Sequence, residues 1–145
     1  MKSHAYFMRL ALRESLKAKT NTRPNPRVGA ILVRKNKVLA TGFHHQAGQI
    51  HAEIDCLRNA GRVGSYKGAV LYSTLMPCYL CAGAVVQFGI KKVYAGESKT
   101  FSGAREFMES HGVEVIDLES EECINMMNKF IAENPKLWNE DIGEL

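Results

Sequence analysis

The chain has 145 residues, which suits one domain with a sizeable core and is short for two. Hydrophobic residues make up 46% and charged residues 23%, values that exclude an intrinsically disordered chain. No run approaches the roughly 18 apolar residues of a membrane span. The N-terminus has no uninterrupted apolar stretch, which argues against a secretory signal, although an organellar transit peptide stays a minor alternative. We therefore expect a cytoplasmic protein without a membrane partner.

The net charge of +4 is unevenly distributed along the chain. Residues 1–50 contain ten lysines and arginines against one acidic residue, Glu14, whereas residues 51–145 contain nine against fourteen. A basic first third can attract phosphates. The alternative is a solvated basic face that is balanced by an acidic one.

Hydrophobic periodicity predicts a first helix near the N-terminus, with one face formed by Met8, Ala11, Leu12, Ser15 and Leu16. A loop rich in turn-forming residues follows at 21–26. Apolar runs at 28–33 and 37–43 flank a short polar turn and predict a β-hairpin. Residues 51–61 predict a helix that ends at Gly61.

The second half alternates strands and helices. Strands are predicted at 68–75, 91–96 and 113–118, and helices at 78–89, around 102–110 and at 120–134. The last helix is predicted to point five side chains inward: Cys123, Met126, Met127, Phe130 and Ile131. The alternation predicts helices on both faces of a sheet, and the hairpin makes that sheet mixed. We expect a single α/β domain over residues 1–145, a three-layer α/β/α arrangement with about five strands.

Two short segments carry metal-ligand residue types, His51-Ala52-Glu53 and Pro77-Cys78-Tyr79-Leu80-Cys81. Each opens a predicted helix, and the partial positive charge of a helix N-terminus favours thiolates. Cys78 and Cys81 are three residues apart, so both can point to one side of the first turn. Together with one histidine nitrogen they supply three ligands of a tetrahedral zinc site.

Three protein ligands indicate a catalytic zinc site, because structural sites usually have four. Zinc brings the pKa of a bound water to about 7, and Glu53 is placed to move protons without binding the metal. Cys56 lies more than one turn beyond His51, so we expect it in the core. The alternatives for the CxxC pair are structural zinc or a redox pair.

The combined pattern H-x-E…P-C-x-x-C, with 24 residues between Glu53 and Cys78, is the signature of zinc nucleobase deaminases. The sequence resembles the cytidine deaminase superfamily, which implies that fold and one Zn²⁺ per subunit. From His51 onward it is similar to fungal-type cytosine deaminase, most specifically in the ending NPKLWNEDIGE. That resemblance implies a homodimer and a C-terminal lid at 134–145.

The same resemblance implies a base pocket. Phe101 and Trp138 would wall the base, and Asp141 would hold the exocyclic amino group. We expect Val28, Ala52 and Leu75 to contribute to the same pocket.

The first half instead resembles the deaminase domain of riboflavin biosynthesis, in PNPRVGAILV and GFHHQAGQIHAE. His44 stands where cytosine deaminase has an asparagine that grips the ring edge. A neutral imidazole also offers one donor and one acceptor, with a different reach. Asn25 is a further polar candidate or a turn former. Met76 replaces a polar residue and predicts a more apolar pocket wall.

The expected reaction is hydrolytic deamination of a small free base, with cytosine to uracil as the first choice. Creatinine, isocytosine, 5-methylcytosine and guanine are alternatives. Deamination of tRNA adenosine is disfavoured, because the tail 133–145 has four acidic residues against Lys136 and would repel a phosphate backbone. A riboflavin-pathway pyrimidine and a non-catalytic zinc domain are the remaining alternatives.

Overall fold

The computed structural model describes residues 2–17, 27–44, 50–61 and 64–143, without the side chain of Asp141. Within these ranges the chain forms five strands and six helices. The strands are β1 Gly29–Arg34, β2 Lys37–Phe43, β3 Val70–Ser73, β4 Lys92–Ala95 and β5 Glu114–Asp117. The helices are α1 His4–Ser15, α2 Ala52–Ala60, α3 Tyr79–Gln87, α4 Arg105–Ser110, α5 Glu121–Glu133 and α6 Pro135–Asp141.

The five strands form one mixed sheet in the order β2-β1-β3-β4-β5. β1 runs antiparallel to both β2 and β3, pairing Ala30 with Gly42 and with Ser73. β3, β4 and β5 are parallel, because α3 and α4 return the chain to the same end before each new strand. The mixed sheet of about five strands that the sequence predicts is confirmed.

Alternating side chains divide the core between the two faces of the sheet. Ile31, Tyr72 and Tyr94 point to the face that α1 covers, whereas Leu71 and Val93 point to the face of α2, α3 and α4. The three-layer arrangement is therefore confirmed.

Some details of the helices differ from the sequence prediction. Leu16 is 46% exposed because α1 ends at Ser15, and Phe7 takes part in the core face instead. Met126 and Ile131 of α5 are half-buried, whereas Cys123, Met127 and Phe130 are buried. The predicted loop at 21–26 lies outside the described residues. None of the described helices is long and apolar enough to cross a membrane.

Glycines let α2 and the loop after β4 approach the sheet closely. A Cβ at Gly42 of β2 would collide with backbone atoms of Ala52 and Cys56 in α2. A Cβ at Gly96 would collide with the carbonyl of Thr74 after β3. These close contacts hold the start of α2 and the ends of β3 and β4 at one end of the sheet.

Candidate active site

His51, Cys78 and Cys81 meet at the N-termini of two neighbouring helices. His51 is the N-cap of α2 and Cys78 is the N-cap of α3, while Cys81 lies one turn inside α3. The Sγ atoms of Cys78 and Cys81 each lie 3.4 Å from Nδ1 of His51. The ligand atoms of the three residues lie within 4.8 Å of one another.

This spacing fits a zinc ion. Zinc bonds of about 2.3 Å to sulfur and about 2.0 Å to nitrogen, at a tetrahedral angle, separate the two ligand atoms by about 3.5 Å. The 3.4 Å distances from His51 to Cys78 and to Cys81 match that separation. Among the described residues this is the one group of three or more histidine, cysteine or acidic side chains with ligand atoms this close. Three donors leave the fourth position of a tetrahedron for water or substrate.

The thiols of Cys78 and Cys81 differ in their pKa values. A hydrogen bond from Cys81, with a further contribution from His51, lowers the pKa of Cys78 to about 4. The pKa of Cys81 is raised, because its thiol donates that hydrogen bond and is also buried. One sulfur is therefore ready as an anionic ligand, and the other must lose a proton when a metal binds.

Glu53 lies in the first turn of α2, two residues after His51, and is buried. Burial raises the pKa of Glu53 to about 7, and the nearby Cys78 charge adds to this effect. A carboxyl group with a pKa near neutrality can both accept and return a proton, which is what general acid–base catalysis requires. It stands beside the metal ligands without being one of them.

A small cavity of about 60 Å³ opens beside these groups at the end of the sheet. The described residues that line it are Val28, His44, His51, Ala52, Glu53, Leu75, Met76, Cys78, Phe101, Trp138 and Ile142. Val28 precedes β1, His44 follows β2, and Leu75 follows β3. The strand ends therefore supply one side of the cavity. The starts of α2 and α3, the loop between β4 and α4 that carries Phe101, and the end of α6 supply the rest. Its volume is far below the roughly 300–1,000 Å³ of pockets for drug-sized ligands.

His44 and an aromatic pair bound the cavity on different sides. The His44 imidazole is 5% exposed, and its ring centroid lies 5.6 Å from that of His51. The backbone N–H of His44 donates to the carbonyl of Val28 at 3.1 Å, which fixes the chain there. Phe101 meets Trp138 edge to face at 5.9 Å between centroids, an arrangement that aromatic pairs favour.

The structure thus brings together most of the residues that the sequence singled out. Val28, His44, His51, Ala52, Glu53, Leu75, Cys78, Phe101 and Trp138 line the cavity, and Cys81 completes the ligand group. Asn25 lies outside the described residues, as does the side chain of Asp141. Ile142 was missed, although it lies one helical turn beyond Trp138 and shares its face of α6.

Comparison with known proteins gives a consistent result. Residues 1–97 match the family described as "Cytidine and deoxycytidylate deaminase zinc-binding region". A cytosine deaminase of Candida albicans is 39% identical over 124 residues, which are 81% of this chain and 83% of that protein. The riboflavin biosynthesis protein RibD of Aquifex aeolicus is 43% identical over 93 residues, 60% of this chain but 26% of that protein.

Solved structures extend the likeness to the fold. A diaminohydroxyphosphoribosylaminopyrimidine deaminase/5-amino-6-(5-phosphoribosylamino)uracil reductase from Thermotoga maritima superposes with a TM-score of 0.79 at 33% identity. The match covers 90% of this chain and 41% of that one. The chain therefore spans less than half of these bifunctional relatives and most of the cytosine deaminase.

Proposed function

Because the chain belongs to the cytidine and deoxycytidylate deaminase family, we propose that it hydrolytically deaminates a small free base, with cytosine to uracil and ammonia as the first choice. The observation that carries this proposal is the small, mostly apolar cavity that Phe101 and Trp138 close beside the ligand group. A single ring suits such a space better than a ring with a ribosyl phosphate, because a phosphate needs cationic partners and a larger opening. The similarity to a cytosine deaminase over most of both chains supports the same choice.

The protein's own residues have distinct proposed roles. When zinc is bound to His51, Cys78 and Cys81, it supplies the Lewis acidity that activates a water molecule. Glu53 takes one proton from that water and delivers it to the ring nitrogen. It then takes the second proton, from the hydroxyl group added to the ring carbon, and delivers it to the amino group, which leaves as ammonia. Because Glu53 is buried, the proton is not lost to solvent between these transfers.

The base would be oriented by groups on three sides. Phe101 and Trp138 offer aromatic surfaces for the ring, and Met76 and Leu75 give an apolar wall. We assign recognition of the polar ring edge to His44 and, as a proposal from the resemblance, to Asn25. Asp141 would hold the exocyclic amino group, and residues 134–145 would act as a lid.

His44 also supports a second candidate, a pyrimidine of riboflavin biosynthesis. It replaces the asparagine of the cytosine deaminase pattern, and the first part of the chain is 43% identical to a RibD protein. None of the described residues that line the cavity is a lysine or an arginine, which disfavours this candidate, because its substrate carries a phosphorylated ribose. The two candidates differ in a property that is simple to test.

A screen for ammonia release separates them. The zinc-loaded protein is incubated with cytosine, 5-methylcytosine, isocytosine, creatinine, guanine, and a set of nucleosides and phosphorylated pyrimidines. We expect turnover of one or more free bases and none of the ribosylated compounds. Turnover of ribosylated or phosphorylated compounds alone would contradict the free-base proposal. His44→Asn should raise kcat/KM for cytosine relative to the other bases, since it restores the amide of the cytosine deaminase pattern.

A homodimer is the proposed assembly, and α3 offers a surface for it. Tyr79 and Leu80 are 71% and 65% exposed, and Phe88 at the end of the same helix is 48% exposed. Large exposed apolar side chains at both ends of one short helix indicate a contact surface, since exposed apolar patches are often interaction sites. The resemblance to a dimeric family supports a second copy as the occupant.

Leu80→Lys tests the dimer. We expect the parent protein to elute with twice the mass of one chain in size exclusion with light scattering. A lysine at Leu80 should shift the population towards the monomer, because its charge would be buried against the partner. Leu16→Lys, at an exposed leucine on the opposite face, is the matched control and should stay dimeric. A parent that is monomeric at all concentrations would exclude the assembly.

A reducing compartment such as the cytoplasm is the proposed location. All four cysteines are free thiols, and two of them are needed as metal ligands. Oxidation of Cys78 and Cys81 to a disulfide would remove both sulfur ligands at once.

A further inference from the structure

Glu97 is a fully buried acidic residue that the proposed chemistry does not use. It follows β4 and Gly96, and its relative exposure is 0%. It lies outside the group of potential metal ligands and does not line the cavity. Burying a carboxylate is unfavourable unless hydrogen bonds compensate it. A buried Glu97 therefore calls for a structural or functional reason.

The hydrogen bonds of Glu97 hold the loop that leads to Phe101. Oε2 of Glu97 accepts from the backbone N–H of Thr100 at 2.9 Å. Oε1 accepts from the hydroxyl of the same threonine. The two carboxylate oxygens thus bind both hydrogen-bond donors of Thr100, the residue that directly precedes Phe101 in the chain.

The backbone of the same residue also holds Met76, a second residue that lines the cavity. The backbone carbonyl of Glu97 accepts from the N–H of Met76 at 2.9 Å. Farther along the loop, the N–H of Ala104 donates to the carbonyl of Pro77 at 2.9 Å. The loop 97–104 is therefore bound at both ends to the segment that carries Met76 and leads into the ligand Cys78.

The chemistry of these contacts favours an acid. Both the N–H and the hydroxyl of Thr100 donate to Glu97, which offers two acceptor oxygens on one side chain. A glutamine supplies one acceptor oxygen, so it keeps one of the two bonds, and the threonine hydroxyl must reverse its direction to accept from the NH₂ group. The amide has nearly the same shape, so its effect would come from hydrogen bonding and not from packing.

We propose that Glu97 is a positioning residue that fixes Phe101 and Met76 as the two walls of the base pocket. This inference rests on the proposed function for the identity of the ligand, but the placement of Phe101 can be measured without turnover. In the proposed reaction Phe101 and Met76 would contact the base throughout, whereas Glu53 and the metal would act on the bond that breaks. Losing the Glu97 contacts should therefore weaken ground-state and transition-state binding equally, which raises KM and leaves kcat nearly unchanged.

Trp138 gives a direct signal for the position of Phe101, because it is the single tryptophan of the chain. Phe101 packs edge to face against it. In the zinc-loaded protein, Glu97→Gln should shift the Trp138 emission to longer wavelength, since a displaced Phe101 admits water to the indole. Zinc content should stay at one per chain. For the best base of the screen, KM should rise about tenfold and kcat should change by less than about threefold.

Controls make the test decisive. Lys99→Ala changes an exposed side chain of the same loop and should leave the emission and KM at parent values. Thr100→Val removes the hydroxyl donor and should shift the Trp138 emission in the same direction by a smaller amount. If Glu97→Gln does not fold, Thr100→Val decides the test by the same criteria. The proposal is overturned if the variant matches Lys99→Ala, or if kcat falls tenfold at unchanged KM. If the parent turns over no free base, the proposed function fails, while the emission result still decides the role of Glu97.

Discussion

Replacing Glu53 with glutamine should lower kcat by about 10²–10⁴-fold, the usual contribution of a general acid–base group. The amide keeps the shape of the side chain but can neither take a proton from water nor return it to the base. Because Glu53 is not one of the three residues whose ligand atoms converge, zinc content should stay at the parent level. The measurements are steady-state ammonia release and metal analysis of the purified variant.

The matched control is Asp55→Asn, an acid-to-amide change two residues further along the same helix. Asp55 is also buried, and its carboxylate accepts from the N–H of Phe43 at 3.1 Å. This variant should lose some stability but keep most of its turnover. Equal turnover in Glu53→Gln and the parent would show that Glu53 does not transfer the protons. Loss of zinc in Glu53→Gln would show instead that Glu53 helps to hold the metal.

The pH profile of the parent should carry the signature of the same group. Burial raises the pKa of Glu53 to about 7 without metal, and a bound cation favours the carboxylate and so lowers that value. The group accepts a proton only in its ionised form. As pH falls, kcat/KM should therefore decrease, with a midpoint at or below that pKa. The residual activity of Glu53→Gln should lack this acid limb.

Local patterns in the sequence were sufficient to predict most of the fold and the centre of the site. The strands from residue 28 onward are short apolar runs between turn residues, and the helices up to residue 134 show helical periodicity, so each was predictable from its own segment. The metal ligands were predictable for the same reason. Cys78 and Cys81 are one turn apart, and a helix N-terminus gives His51 a fixed direction.

Features that depend on distant parts of the chain were not predictable in this way. Phe7 is buried because it packs against Tyr72 of β3, and Leu16 is exposed just beyond the end of α1, which periodicity does not report. From the sequence, Glu97 resembles an exposed acidic residue in a polar loop. In the structure it is buried beside Gly96, which lies close to the carbonyl of Thr74 after β3. Ile142 belongs to the cavity because Trp138 of α6 packs against Phe130 of α5 and against Phe101, which periodicity does not report.

Replacing Cys81 with serine should remove most of the bound zinc and, with it, measurable turnover. Serine has nearly the same size, but its hydroxyl stays protonated at neutral pH and is a poor zinc ligand. His51 and Cys78 then remain as the two ligands of the group, and two ligands hold zinc more weakly than three. Metal analysis after dialysis should show far less than one zinc per chain, and ammonia release should fall in proportion.

The same cysteine should control how zinc affinity depends on pH. In the metal-free site the pKa of Cys81 is raised, while Cys78 is already ionised at neutral pH because its pKa lies at about 4. Zinc must displace the proton of Cys81, so the apparent affinity should rise about tenfold per pH unit for that one proton. Competition with a chromogenic chelator between pH 6 and 8 measures this slope.

Cys56→Ser provides the control, because Cys56 is buried in α2 and its thiol contacts the carbonyl of Ala40, away from the ligand group. This variant should keep one zinc per chain and the parent's pH slope, with at most a modest loss of stability. Full zinc occupancy in Cys81→Ser would mean that the metal is held by other residues. Loss of zinc in Cys56→Ser would instead mean that Cys56 is a fourth zinc ligand. The site would then be structural, since a fourth protein ligand leaves no place for water.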